Sequence, residues 1–362
     1  MMMTEGKALI IAEAGVNHNG SIEMALDLVD AASLSGADMI KFQTFRASSV
    51  VSSGAPKADY QKDSHGGGES HLEMIRKLEL GLEAHATLLE RCAERDVGFL
   101  STPFDIQSVD MLADILRLDM LKVPSGEMTN GPLLIHVGRK GLKIVLSTGM
   151  CTLGEIEDAL GAVAFGFLGR EEAPSLKSFR NVFASDEGQK ILMEKVSLLH
   201  CTSEYPAPLE DVNLKAMETL RQAFGLPVGY SDHTEGIVVP IAAAAAGAAI
   251  IEKHFTLDRR LPGPDHKASI EPDELAEMVS SVRQVEKALG SSKKIPRPSE
   301  RKNLDIARKS LVARRSISRG EPFAEDNITC KRPGWGISPM MYWNVIGRKA
   351  PRDFSEDEVL EI

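Results

Sequence analysis

The chain has 362 residues, 43% of them hydrophobic and 26% charged, with a formal net charge of −10. That length accommodates one large domain and one small one, and the acidic balance gives no support to a nucleic-acid role. No apolar run reaches membrane-span length, and the start MMMTEGKALI lacks the basic-then-apolar layout of a secretion signal, so a cytoplasmic protein without a membrane partner is expected. Four scattered cysteines (Cys92, Cys151, Cys201, Cys330) fit buried thiols better than disulfides or a zinc site. An anionic substrate would need a local basic site set into an acidic surface.

Eight short apolar runs end in Gly, Ser, Thr, Pro, His or an aromatic residue: 9–15, 39–45, 98–103, 120–126, 143–149, 196–203, 227–233 and 249–255. They read as strands. Helical patterns separate them. Residues 21–36 open on a serine cap and close on glycine, 105–116 open on Asp105, an alanine-rich stretch covers 236–249, and 271–289 carry Pro272 in the first turn. Strand and helix alternating eight times predict a (β/α)8 TIM barrel over 1–289. Two insertions interrupt it. Residues 46–80 follow the second strand and are expected on the active-site face, as a loop and then a short helix. Residues 165–195 precede the sixth strand and are expected on the opposite face. A Pro-, Ser- and Lys-rich linker (290–302) leads to a small second domain over 303–362, with turn signals at Arg319-Gly320 and Pro333-Gly334.

Side chains alternate along a strand. Lys41 and Gln43 therefore share a face, as do Ser231 and His233, and Glu252 and His254. Lys122 stands on the fourth strand with Ser125 and Glu127 just beyond it, and Glu13 lies near the end of the first. His233 and His254 each end an apolar run. Two neutral imidazoles with Asp232, Glu252 and Asp265 nearby suit a divalent transition metal with open positions; the alternative is a pair of hydrogen-bonded structural histidines. Lys41 and Lys122 lie in otherwise apolar runs. Each either pairs with a neighbouring carboxylate such as Glu13 or Glu127, or meets a substrate phosphate or carboxylate, with Thr102, Ser125 and Ser231 as hydroxyl donors.

The motifs AEAGVNHNGS, KFQTF, STPFD, KVPSGE, LSTGM, LHCTSEYPAP, SDHT, EKHFT and PGPDH occur in that order. Together they make the chain resemble the sialic acid synthase family: the N-acetylneuraminate synthases and their legionaminic and pseudaminic acid relatives. The last 60 residues, with KRPGWGISP, are similar to the family's antifreeze-like SAF (β-clip) domain. The resemblance implies condensation of phosphoenolpyruvate (PEP) with an N-acylated hexosamine, release of phosphate, and a divalent metal, Mn2+ first, with Mg2+ or Co2+ as alternatives. It implies His233 and His254 as metal ligands. It implies Lys41, Thr102, Lys122, Ser125 and Ser231 around PEP, and Gln43, Tyr205, Asp265 and Glu13 at the sugar and reaction centre. Ser203 stands where some members carry an asparagine that helps to bind PEP. Glu13 and Glu127 are the candidates for proton handling.

Arg332 is expected to reach the sugar site of a second subunit, in a homodimer that exchanges C-terminal domains. The activity expected first is N-acetylneuraminate synthase, with N,N'-diacetyllegionaminate or pseudaminate synthase as the alternative. Another PEP-condensing aldose synthase and a catalytically dead sugar-acid binder stand further off; retention of both histidines and both lysines speaks against the dead binder.

Overall fold

The computed structural model describes residues 7–52, 54–55 and 70–362. The loop expected within 46–80 therefore lies largely outside the described residues. The chain divides into two units, Met1–Gly290 and Ser291–Ile362.

The first unit holds eight parallel strands: β1 (Leu9–Gly15), β2 (Met39–Thr44), β3 (Gly98–Pro103), β4 (Met120–Val123), β5 (Lys143–Ser147), β6 (Val196–His200), β7 (Val228–Asp232) and β8 (Ile250–His254). Their order is β3-β2-β1-β8-β7-β6-β5-β4, and β3 lies against β4 to close the ring, giving the expected TIM barrel. Helices α1 (Ile22–Leu34), α2 (Ala47–Val50), α3 (His71–Arg76), α4 (Leu82–Glu94), α5 (Ile106–Asp110), α6 (Gly131–Arg139), α7 (Leu153–Phe167), α8 (Leu176–Phe183), α9 (Asp186–Lys195), α10 (Ala216–Phe224), α11 (Val238–Ala245) and α12 (Pro272–Leu289) fill the connections. Their starts follow local rules: Ser21 Oγ accepts from Met24 N at α1, and Thr152 and Glu155 form a capping box at α7. The insertion over 165–195 holds α8 and α9.

The strands carry two apolar layers. Outward residues such as Ile10, Ile40, Leu121, Ile144 and Ile251 join the helices in the main core. Inward residues Leu9, Ile11, Met39, Leu100, Val145, Leu199 and Ile250 fill the barrel's lower interior. At the same parity but further along each strand, the inward positions turn polar: Glu13, Lys41, Thr102, Lys122, Ser147 and Glu252. Gly229 is needed in the lower layer, because a Cβ there would meet Ile250 O at 2.3 Å and Leu199 Cδ2 at 2.7 Å.

The second unit opens with α13 (Pro298–Ala307). It then pairs β9 (Ser310–Ala313) antiparallel with β10 (Ile328–Lys331) over a small core that includes Leu311, Ile317, Phe323, Val345 and Phe354. Among the described residues, no helix is long and apolar enough to cross a membrane.

Candidate active site

The polar ends of the inward strand faces enclose a cavity of about 390 Å³ at the C-terminal end of the barrel. Parallel register decides who meets whom. Glu13 stands opposite Lys41 on one side and His254 on the other, Ser231 opposite Glu252, and Gln43 opposite Thr102.

Charge concentrates on the floor. Lys41 Nζ lies 2.9 Å from Glu252 Oε2 and 3.4 Å from Glu13 Oε2. Lys122 Nζ lies 3.7 Å from Glu252 Oε1 and donates to Ser147 Oγ at 2.6 Å. Ser231 Oγ donates to Glu252 Oε1 at 2.7 Å. Burial pushes every one of these groups towards its neutral form, and neighbours decide the outcome. Burial raises Glu13 to about 8 despite Lys41. Burial likewise opposes ionisation of Glu252, but Lys122 and Lys41 outweigh it and hold that carboxyl well below the usual range. Burial lowers Lys122 to about 8, whereas Glu13 and Glu252 overcome burial at Lys41 and raise it. At neutral pH the floor therefore holds two ammonium groups, one carboxylate and one protonated carboxyl.

The histidines stand beside this floor with ring centroids 5.5 Å apart, and the Tyr205 ring lies over His233 at 4.2 Å. His233 Nδ1 is 2.6 Å from the Thr202 carbonyl, so it donates there and Nε2 keeps its lone pair. His254 Nδ1 is buried without a hydrogen-bond partner among the described residues and lies 4.0 Å from Asp265 Oδ2. Burial lowers His233 to about 4 and His254 well below its ordinary value, so both rings are neutral. Two neutral imidazoles with unused lone pairs fit a divalent transition metal. Among the described residues no group of three or more His, Cys, Asp or Glu side chains is placed to hold a metal ion.

Opposite corners carry the remaining groups. Ser125 Oγ accepts from Gly149 N at 2.9 Å and lies 3.2 Å from Cys201 Sγ. A Cβ on Gly149 would fall 2.4 Å from Ser203 Oγ, so these small groups pack into one niche. Thr102 Oγ1 is buried with no hydrogen-bond partner among the described residues, and Thr102 lines the cavity. At the other corner Glu13, Gln43 and Asp265 converge on Gly15: a Cβ there would meet all three at 3.3–3.4 Å. Gly15 has φ +53°, and the β1–β2 register shifts at this point. Burial raises Asp265 to about 6.

All the residues expected at the site line the cavity except Glu127 and Arg332. Pro124 ends β4, and the short 3-10 turn Ser125–Glu127 carries Glu127 outside the cavity lining, where it accepts from Asn130 Nδ2 at 2.6 Å. Of the two proton-handling candidates, only Glu13 faces the cavity. Arg332 belongs to the second unit, where it is exposed and its Nε donates to the Ala307 carbonyl at 3.0 Å. Asp232, expected beside the histidines, faces outward instead and pairs with Lys253 at 2.6 Å, both side chains being fully buried. Glu252 is the functional group that the sequence left without a role of its own. Its shared face with His254 was the available signal, and the same parity argument would have found Ser147.

A model of the NeuB family matches residues 28–294, most of the chain. The chain belongs to the NeuB family. A SAF domain model matches residues 308–361, so the resemblance carried by the motifs holds over both units. Among relatives of this NeuB-family enzyme, the N,N'-diacetyllegionaminic acid synthase of Campylobacter jejuni subsp. jejuni serotype O:2 is 48% identical over 354 residues, covering 98% of this chain and 99% of the relative. The enzyme of the same description from Legionella pneumophila subsp. pneumophila is 44% identical over 351 residues, covering 97% and 92%. The crystal structure of an N-acetylneuraminic acid (sialic acid) synthetase from Leptospira borgpetersenii serovar Hardjo-bovis, in complex with citrate, superposes with a TM-score of 0.65 at 34% identity, covering 82% of this chain and 90% of that one.

Proposed function

We propose that this enzyme condenses PEP with the open-chain aldehyde of a 2,4-diacetamido-6-deoxy hexose, giving a nine-carbon 2-keto acid of the diacetyllegionaminic type and phosphate. The observation that carries the reaction is the pairing, in one cavity, of two buried lysines short of negative charge with two neutral histidines. The acceptor rests on the relatives. Those named for diacetyllegionaminic acid are 48% and 44% identical, against 34% for the N-acetylneuraminic acid synthetase. N-acetylneuraminate synthesis, the activity expected first from the motifs, is therefore the weaker reading.

In this reading Lys41 and Lys122 take the phosphate and carboxylate of PEP, with hydroxyls from Thr102, Ser125 and Ser231. Ser203 adds a shorter donor where some relatives carry asparagine. His233 and His254 would hold a divalent cation, Mn2+ first and Mg2+ or Co2+ as alternatives, whose chemistry is Lewis-acid polarisation of the aldehyde oxygen. Gln43, Asp265 and protonated Glu13 bind sugar hydroxyls around Gly15. Glu13 holds a proton at neutral pH and can release it to the oxygen of the former aldehyde. The PEP methylene carbon bonds to the aldehyde carbon, water adds to the oxocarbenium carbon left behind, and phosphate departs with cleavage of its carbon–oxygen bond. Holding both substrates in one cavity supplies much of the acceleration.

The same reading makes the enzyme a homodimer with exchanged C-terminal units, Arg332 of each entering the partner's sugar site. Two features of the second unit support it. Residues 291–362 carry 15 Lys and Arg against 10 Asp and Glu, leaving 27 against 42 in residues 1–290, so the two units are of opposite charge. Trp335, Met340 and Trp343 of the second unit are 67%, 80% and 79% exposed, more apolar surface than a solvated tail needs.

The test of the reaction is phosphate release from PEP after chelation and re-addition of Mn2+, with 2,4-diacetamido-2,4,6-trideoxymannose, N-acetylmannosamine or no sugar. Release that requires both sugar and metal, and is fastest with the diacetamido sugar, is expected. No release with any N-acylated hexosamine would sink the proposal.

A further inference from the structure

The cavity has two unlike walls. One is the charged floor with the histidines. The other is apolar and comes from three loops on the same face of the barrel. Val16 follows β1, Phe45 and Val50 follow β2, Ile75 and Leu78 lie in and after α3, and Phe104 follows β3. Val16, Phe45, Leu78, Ile75 and Phe104 form a cluster of their own, separate from both barrel cores. Phe45 and Phe104 meet edge to face at 6.1 Å. Val16, Phe45 and Leu78 are buried behind, while Ile75 and Phe104 are half-buried and turn apolar surface to the cavity.

Chain continuity joins this wall to the polar corner. Val16 directly follows Gly15, on which Glu13, Gln43 and Asp265 converge, and Phe45 comes two residues after Gln43. A sugar held by that corner therefore has the apolar wall as its neighbour in the same cavity.

We propose that this wall selects the acceptor by its methyl groups, so that 6-deoxy N-acylated sugars are taken ahead of their 6-hydroxy counterparts. The inference rests on the reaction proposed above and assigns its specificity to Ile75, Phe104 and Val50. A C6 methyl against this surface leaves water for apolar contact. A hydroxymethyl in the same place gives up its hydration and meets no donor or acceptor among the described side chains of this wall. A difference of that kind in an apolar pocket amounts to about 10- to 200-fold in kcat/KM.

The experiment measures kcat/KM at saturating PEP and Mn2+ for N-acetylmannosamine, its 6-deoxy analogue and 2,4-diacetamido-2,4,6-trideoxymannose. The first two isolate the methyl from the second acetamido group. The wild-type chain is expected to favour the 6-deoxy analogue over N-acetylmannosamine by at least about tenfold. Ile75→Thr and Phe104→Tyr place a hydroxyl on the wall without emptying it, and each should bring that ratio towards one. Val50→Thr, at a position already 36% exposed, provides a variant whose folding is not at risk. Equal use of the two sugars by the wild type, or an unchanged ratio in all three variants, overturns the selection and leaves the reaction standing. If none of the three sugars supports PEP consumption, the reaction and the selection fail together.

Discussion

Lys41 Nζ lies 2.9 Å from Glu252 Oε2, yet Glu252 also faces the ammonium of Lys122, at 3.7 Å. One ionised carboxylate thus answers two buried cations, because burial keeps nearby Glu13 protonated at neutral pH. A floor so short of negative charge is an anion site prepared before the anion arrives. Lys41→Met and Lys122→Met keep the aliphatic stem and remove the charge. Each should weaken PEP binding at least tenfold, about 1.4 kcal/mol, by calorimetry. Unchanged affinity in both would make these lysines purely structural ion pairs.

The same floor sets a pH dependence. Lys122 is lowered to about 8 by burial, so the free enzyme loses this charge as pH rises through 8. Glu13, raised to about 8 by burial, gains a negative charge over the same interval, and both changes oppose an anion. The PEP dissociation constant should rise by roughly eightfold or more between about pH 7.5 and 9, the factor for losing one proton with a pKa near 8. Lys122→Met should flatten much of that rise. A wild-type constant that is level across the interval would contradict these proton positions.

For the metal, His233→Ala should abolish high-affinity Mn2+ binding, read by electron paramagnetic resonance of the free ion, while the melting transition persists. The imidazole donates to the Thr202 carbonyl and its Nε2 lies 3.5 Å from Ser231 Oγ, contacts whose loss costs about 1 kcal/mol each. A variant that takes up Mn2+ like the wild type after chelation excludes His233 as a ligand.

Lys253 and Asp232 form a different kind of pair. Both side chains are fully buried on the outward face, and Lys253 Nζ also donates to the Thr234 carbonyl. Asp232 in turn accepts from the Thr234 amide and hydroxyl, so the pair fixes the turn that carries His233. Lys253→Met leaves a buried carboxylate without its cation and should destabilise the barrel by about 3–5 kcal/mol in urea unfolding. The double variant Lys253→Met with Asp232→Asn should recover a large part of that loss. Equal losses in single and double variants would show that the uncompensated charge is not the cause.

Exchange of the C-terminal units is tested by complementation. Arg332→Ala chains and His233→Ala chains, unfolded and refolded together, should regain activity in heterodimers, because one of the two sites receives an intact barrel and an intact arginine. Verified heterodimers no more active than either parent would place the arginine in its own subunit's site or in none.

The sequence alone determined what a strand decides locally. Alternation placed Lys41 with Gln43, Ser231 with His233 and Glu252 with His254 on common faces, and the eightfold alternation of strand and helix called for a barrel whose strand ends meet at one mouth. Side-chain parity is a property of neighbouring residues and needs no partner strand. Glu127 shows where that reasoning stops: Pro124 ends β4, and a tight turn replaces the extended backbone that parity assumes. Register between strands was decided only by the tertiary structure. Glu13 meets both Lys41 and His254 because β1 lies between β2 and β8, strands more than 200 residues apart in the chain. Burial in the assembled barrel keeps Glu13 protonated, the closed ring gives Glu252 two cations, and the β7–β8 pairing sets Lys253 against Asp232. Such contacts depend on how eight strands stagger around a closed ring, which is set by side chains packing across the barrel rather than by any one segment.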